Sequence, residues 1–320
     1  MSWLRARARS IDARFMAAAP AERLATLRFL TGVFALCYLL VRAPVLADFR
    51  RAPGVFRPVG SASFLQAPLP SWSVFALYGL ALVVGVMFTL GVRFKWSGPA
   101  FALLALWVTS YRNSWGMVFH NENLLVLHLI VVGLSDAAAA LSFDARRLGR
   151  AVAPEARFGW PLRLVSLTTV LVYVLAGIAK LKVTGISWMD GEVLRNYIAY
   201  DAMRKSQIGS IHSPLAGYLV QVGWPYLFLS VATLAIELGG PLALLDRRLT
   251  RAWVYGAYGF HIGVFVSMAI AFPYPLSGIA FASLFECEKL WRVRRLGRLR
   301  TWLFGPSPEA GLHVEHSRVS

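Results

Sequence analysis

The stretch LRLVSLTTVLVYVLAGIAKLK, residues 162–182, decides the fold class of this 320-residue chain. It is one continuous apolar run, long enough to cross a hydrocarbon core of about 30 Å as a single helix. Comparable runs recur along the chain, and their apolar residues follow one another without alternation, which argues against spanning strands. The sequence therefore predicts an all-α fold, a polytopic integral membrane helix bundle.

The composition supports this prediction and limits the partners. Hydrophobic residues make up 57% of the chain and charged residues 15%, whereas about a quarter of a soluble protein is charged. The net charge of +17 would suggest nucleic acid in a soluble protein, but most Lys and Arg lie in short segments between apolar runs, as membrane topology requires. We expect the lipid bilayer as a partner and no nucleic acid.

About eight transmembrane helices are predicted between residues 27 and 291, with a basic cytoplasmic segment at 1–26 and a basic, partly disordered cytoplasmic tail at 292–320. The predicted spans are 27–46, 72–91, 97–111, 121–140, 162–182, 219–245, 252–271 and 275–291. With both termini in the cytoplasm, most of the 33 basic residues lie inside, as the positive-inside rule demands. The predicted location is the cell membrane, with multiple passes.

Two connections on the outer side are long, 48–71 and 183–218. Long ordered loops often carry function. The second of them contains an amphipathic stretch that would also suit a helix resting on the lipid headgroups. Both interpretations remain open for this segment.

Polar residues recur at helical spacing inside several predicted spans. The fifth span carries Ser166, Thr169, Tyr173, Gly177 and Lys180. The sixth carries Tyr226, Ser230, Thr233 and Glu237, the fourth Asn121, His128 and Ser135, and the seventh Tyr255, Tyr258 and His261. Hydroxyl groups also serve helix packing, but ionisable side chains inside a membrane are costly and mark functional sites by default. Lys180, Glu237 and His261 therefore predict a shared interior pocket.

The pocket is expected to open outward. Arg112, His120, Asn121 and Glu122 cluster where the third and fourth spans meet at the outer face. A lysine among apolar residues can give up its proton and act as a base, and surrounding aromatic rings suit a flat, apolar substrate. Lys182 is expected to reach the headgroups instead. No metal is predicted, because the spans contain no HExxH motif or close histidine pair.

Three motifs resemble the vitamin K-dependent γ-carboxylase and its bacterial relatives, the HTTM (horizontally transferred transmembrane) domain proteins. AGIAKL at 176–181, followed by Trp188 and Gly191, is similar to the AGVKKL segment of the carboxylase. Lys180 matches the second lysine of that pair, the family's proposed base, and Ala179 replaces the first.

The other two motifs lie elsewhere in the membrane domain. ELGGPLALLDRR at 237–248 is similar to an acidic helix motif in which Glu237 stands where an aspartate occurs, and His261 follows at the family's spacing. SWGMVFHNENLL at 114–125 is similar to a SWNNHSYL region, with Asn121 or His120 at the position of the family histidine. The choice between these two residues stays open.

The resemblance implies a function. In the family, a lysine deprotonates vitamin K hydroquinone, oxygen adds, the quinone becomes its epoxide, and the strong base formed on the way allows glutamate carboxylation. By this resemblance Lys180 is the base, and His261 with Asn121 or His120 supplies hydrogen bonds or an acid. The expected lining of the substrate site is Glu237, Tyr173, Trp188, Arg112, Glu122 and His128.

The expected function is therefore a membrane-embedded enzyme that acts on vitamin K hydroquinone, menaquinol or another lipid-like molecule. The carboxylase carries a large lumenal domain for its protein substrate that this sequence does not contain after its last span, so quinol oxygenation is expected ahead of carboxylation. The alternative is a non-enzymatic membrane factor for the maturation or export of a secreted peptide or protein. A carrier is disfavoured by the lack of evident repeats and broken helices.

Overall fold

A computed structural model describes residues 16–46, 53–116, 118, 120–148 and 152–305. Within these ranges the regular elements are helices, and one isolated antiparallel bridge joins Ala19 to Glu155. The predicted all-α class is confirmed. Parts of the predicted terminal segments, residues 1–15 and 306–320, lie outside the described residues, and the cytoplasmic position of both ends stays a prediction.

Twelve α-helices follow one another along the described part of the chain, and some of the connections contain short 3-10 turns. They are α1 (Ala21–Leu46), α2 (Ser71–Leu90), α3 (Phe94–Asn113), α4 (Asn123–Gly133), α5 (Phe143–Leu148), α6 (Ala156–Thr184), α7 (Glu192–Gln207), α8 (Leu215–Leu219), α9 (Trp224–Leu238), α10 (Arg247–Met268), α11 (Pro273–Leu276) and α12 (Arg294–Phe304).

Three of the described helices are long and apolar enough to cross a membrane. They are Ala21–Pro44 within α1, Ser71–Leu90, and Ala156–Asp190, which is α6 with the turn after it. Two shorter helices, α4 and α9, are also apolar. The chain is thus a membrane protein by composition and helix length, while the count of eight spans remains a prediction.

The chain divides into two compact units, and the boundary falls inside α6. The first unit comprises Met1–Val165 and Phe285–Ser320, and the second comprises Ser166–Leu284. In the first unit α1, α2, α3 and α4 pack against their neighbours. Gly98 and Gly133 allow α3 and α4 to touch, since a Cβ on Gly98 would lie 2.4 Å from the carbonyl oxygen of Gly133.

The fourth predicted span, 121–140, is helical only as far as Gly133, and a buried arginine of α1 binds the segment that follows. Arg28 is completely buried and donates hydrogen bonds to the carbonyl oxygens of Ala137 and Leu141. Buried carbonyl groups outside regular secondary structure need such partners. A charged donor from a distant part of the chain thus stabilises the irregular segment after α4.

In the second unit the helix ends follow local sequence signals. Pro225 stands in the first turn of α9, and Gly239 follows its last residue. Asp246 caps α10, because its Oδ1 atom accepts hydrogen bonds from the backbone N–H groups of Arg248 (2.7 Å) and Leu249 (3.1 Å). The predicted span 219–245 therefore contains a helix and a 3-10 turn, and it ends just before the cap of α10.

The last predicted span, 275–291, differs most from the prediction. It comprises the end of α11 and two 3-10 turns, Ile279–Leu284 and Cys287–Arg292. Gly278 has a φ of +76°, which a continuing right-handed helix does not allow. An apolar sequence alone does not indicate such interruptions, because hydrophobicity reports burial and not backbone continuity.

The long connection 183–218 is a folded part of the second unit. It contains a 3-10 turn at Gly185–Asp190 and the helices α7 and α8. Lys205 donates to the carbonyl oxygen of Met268 (2.7 Å), and Arg195 Nε donates to that of Val220 (2.8 Å). Ile198 of α7 is buried against Tyr226 of α9. The connection therefore packs on the ends of α9 and α10.

Candidate active site

The polar stripe predicted on the fifth span forms the inner face of α6 in the second unit. Ser166 bonds to the Ser283 hydroxyl (2.9 Å), and Thr169 donates to the carbonyl oxygen of Ala280 (3.2 Å). The residues between the members of the stripe, such as Leu171 and Leu175, are exposed and suited to lipid. The predicted inward direction of this face is confirmed.

At the end of this stripe, Lys180 forms an ion pair with Glu237 of α9. The lysine Nζ also lies 5.2 Å from the centroid of the Trp188 ring, within the range of a cation–π interaction. Glu237 is 2% exposed, so its charge depends on Lys180 for compensation. Lys182, two residues on, is exposed as predicted.

Close helix packing brings these groups together. A Cβ on Gly177 would lie 2.8 Å from Cδ2 of Leu238 and 3.1 Å from Cβ of Glu237. Gly177 therefore allows α6 and α9 to approach closely, one turn before Lys180. The 3-10 turn that carries Trp188 is held against the other end of α9, where Gly191 packs on the backbone of Tyr226.

A second polar pair lies on the same face of α6. The hydroxyl group of Tyr173 is 2.6 Å from Nε2 of His261 on α10. Both residues are 5% exposed, and Tyr173 packs edge-on against Trp253. Tyr173 precedes Lys180 by seven residues, which is two helical turns or about 10 Å along α6.

Several buried polar atoms of the second unit have no hydrogen-bond partner among the described residues. They are Glu237 Oε2, Ser230 Oγ, Tyr226 Oη, Trp188 Nε1 and His261 Nδ1. Buried polar groups normally find a protein or water partner. Each of these atoms would be satisfied by ordered water or by a polar atom of a ligand. Tyr226 and Ser230 were visible in the sequence as members of a polar stripe.

The remaining predicted site residues belong to the first unit. Arg112 forms an ion pair with Glu122, and the Tyr38 hydroxyl donates to the same carboxylate at 2.5 Å. Arg112 and Glu122 are 9% and 2% exposed. The two predicted substrate-binding residues are therefore each other's partners, and Tyr38, which the sequence analysis missed, was visible only as a hydroxyl group within an apolar run.

The histidines and the asparagine of the first unit differ in exposure. His128 is fully buried and makes a hydrogen bond with the backbone of Val165. His120 is exposed and Asn121 is partly exposed, just before α4. Their roles as partners of Lys180, and the substrate-binding role of His128, stay predictions. Among the described residues no group of three or more His, Cys, Asp or Glu side chains is arranged to hold a metal ion.

The sequence matches the profile of the HTTM domain over residues 19–291. This is a membrane domain associated with vitamin K-dependent carboxylase-like proteins. No curated protein and no solved structure matches the chain.

Proposed function

Because the chain belongs to the HTTM domain family, we propose that it is a membrane-embedded enzyme in which Lys180 acts as a base on a quinol or another lipid-like substrate. The observation that carries this proposal is the ion pair between Lys180 and the buried carboxylate of Glu237, beside Trp188. A base must be able to lose its proton, and Glu237 is an acceptor in direct contact with Lys180.

Proton transfer within the pair would produce the active base. Two charges in a poorly solvated site are costly, and moving one proton from the ammonium to the carboxylate removes both of them. The neutral Lys180 amine then takes the proton of a substrate hydroxyl, and the resulting ammonium stabilises the oxyanion. The proton held by Glu237 keeps the site neutral throughout this step.

The surroundings of the pair support a substrate of this class. Trp188 offers an aromatic face and an indole N–H without a partner among the described residues, so it suits a ring that bears oxygen substituents. The pair Tyr173 and His261 lies about two helical turns away along α6. We assign it to holding a different part of the substrate and not to the reacting hydroxyl.

The overall reaction proposed is quinol oxygenation, in which a quinol and dioxygen give the quinone epoxide and water. The test is to incubate purified protein with menaquinol or vitamin K hydroquinone in the presence of oxygen and to measure the epoxide by mass spectrometry. Lys180→Met should lower the rate about 10²- to 10⁴-fold, the range typical of a lost general base. Lys182→Met removes the same charge from an exposed position of the same helix and should leave the rate unchanged.

Two outcomes would reject the proposal. Equal epoxide formation by wild type and Lys180→Met would remove Lys180 from the chemistry. No epoxide from the folded wild type with either quinol would favour the alternative, a non-enzymatic membrane factor that binds a secreted peptide for maturation or export. Photo-crosslinking of such a peptide to the connection 183–218 would then be the next measurement.

A further inference from the structure

Helix α12 presents one continuous face with the chemistry of an anion-binding site. Arg294, Gly297, Arg298, Thr301 and Trp302 follow at steps of three and four, and so share one side of the helix. Together with Arg300 they line a shallow groove of about 630 Å³. The groove therefore combines basic side chains with one large aromatic ring.

The charge of this groove is positive and largely uncompensated. The sequence of α12, RRLGRLRTWLF, contains arginines and no acidic residue. Arg300 pairs with Glu22 at 3.1 Å, whereas Arg294 and Arg298 form no ion pair with any residue in the described part of the chain. Guanidinium groups match the oxygen atoms of phosphate in geometry and charge.

The position of α12 fixes the depth of the groove. Phe304 packs against Ala25, and its ring lies 5.9 Å from that of Phe29, while Arg300 reaches Glu22 in the first turn of α1. Since Ala21–Pro44 is long and apolar enough to cross a membrane, α12 lies at the level where this span would leave the hydrocarbon core. Lipid headgroups occupy this level.

We propose that the groove on α12 binds the phosphate-bearing headgroup of an anionic phospholipid. Arg294 and Arg298 contact the phosphate oxygen atoms, and Trp302, which is 77% exposed, lies at the glycerol and upper acyl level, where tryptophan is enriched in membrane proteins. Basic amphipathic helices at a membrane surface recognise anionic lipid in this way. The site is independent of the reaction proposed for Lys180.

The test measures the affinity of the full-length protein for phosphatidylglycerol in a neutral detergent, by native mass spectrometry and by the shift in melting temperature. Arg294→Gln/Arg298→Gln should weaken binding about thirtyfold, since each basic residue near anionic lipid contributes about a factor of five. Arg248→Gln/Arg251→Gln removes the same charge from an exposed region of α10 and should bind like wild type. Phosphatidylcholine should give no comparable shift.

Several results would overturn the proposal. Equal weakening in both double variants would indicate non-specific attraction to a basic protein. Glycerol phosphate or inorganic phosphate binding as tightly as phosphatidylglycerol would indicate a site for a free anion. Tighter binding of an oligoglutamate peptide would indicate a protein-docking surface. If the double variant fails to fold, the single variant Arg298→Gln provides the test. Its affinity for phosphatidylglycerol should fall about fivefold, and an unchanged affinity would contradict the proposal.

Discussion

Lys180 and Glu237 form an ion pair whose two side chains differ in their contact with solvent. The carboxylate of Glu237 is 2% exposed, whereas the side chain of Lys180 is 22% exposed. Removing one partner of a buried pair leaves an uncompensated charge, and that penalty exceeds what the intact pair contributes. The pair therefore links stability and the proposed chemistry at one contact between α6 and α9.

The first prediction concerns the energetic coupling of this pair. Lys180→Met should lower the free energy of unfolding by on the order of 3 kcal/mol, because it leaves the Glu237 carboxylate buried without its cation. Lys180→Met/Glu237→Leu should recover most of that loss, since neither charge remains. The measurement is denaturant-induced unfolding in detergent micelles. Lys182→Met is the control, and additive losses in the double variant would show that the two residues are not coupled.

The second prediction concerns the hydrogen bond between Tyr173 and His261. Tyr173→Phe should cost about 1–2 kcal/mol of stability, because it leaves Nε2 of a buried histidine without its partner. Tyr173→Phe/His261→Leu removes both polar groups and should be closer to wild type. Tyr197→Phe, a change at a half-exposed ring of α7, should alter stability by less than about 0.5 kcal/mol. A Tyr173→Phe variant as stable as wild type would show that this hydrogen bond does not stabilise the protein.

The inward faces of α6 and α9 could be predicted from the sequence because their polar residues stand out at regular helical steps in apolar runs. Tyr226, Ser230, Thr233 and Glu237 are all buried. The corresponding prediction for α10 was wrong in part, since Tyr255 is 76% exposed and Tyr258 is 38% exposed. His261 shares its buried face with Trp253 and Ala257, at steps of four. Tyrosine is also common on lipid-facing surfaces at the membrane–water interface, so its presence in an apolar run is weak evidence that it faces the inside of the helix bundle.

The sequence could not identify which charged groups pair. The sequence placed Glu237 and Arg112 in the lining of the predicted site without assigning them partners, whereas in the structure Glu237 contacts Lys180 and Arg112 contacts Glu122. Helical periodicity fixes the direction of a side chain around its own helix. It carries no information on the rotation and depth of a neighbouring helix, and these decide which partner is reached. The contacts of Arg28 with the chain beyond α4 depend on the same missing information.

The third prediction separates a structural from a substrate-binding role for Arg112 and Glu122. Glu122→Gln should lower stability by about 3 kcal/mol, because it removes the negative charge from the buried ion pair with Arg112 and weakens the bond from Tyr38. Glu192→Gln, at an exposed carboxylate paired with Arg195, should cost less than about 1 kcal/mol. Thermal unfolding without substrate measures both. Unchanged stability together with a higher KM would instead support substrate binding.

The fourth prediction concerns Gly191, which joins the turn carrying Trp188 to α7. Gly191 has a φ of +91°, and a Cβ there would lie 2.6 Å from the backbone of both Tyr226 and Leu227. Gly191→Ala should therefore cost about 2–4 kcal/mol, from left-handed strain and from forcing the turn away from α9. Gly209 also has a positive φ, +64°, but an added Cβ would meet no atom within 4 Å.

Comparing the two alanine variants isolates the contact from the strain. Gly209→Ala should lose only the strain, about 1–2 kcal/mol, so the excess loss in Gly191→Ala measures the packing of the turn on α9. Because Trp188 lies in that turn beside Lys180, Gly191→Ala should also change the fluorescence emission of Trp188, whereas Gly209→Ala should not. The emission of Trp188 is obtained as the difference between spectra recorded with and without the substitution Trp188→Phe. Equal losses and equal spectra would mean that the turn is not held by this contact.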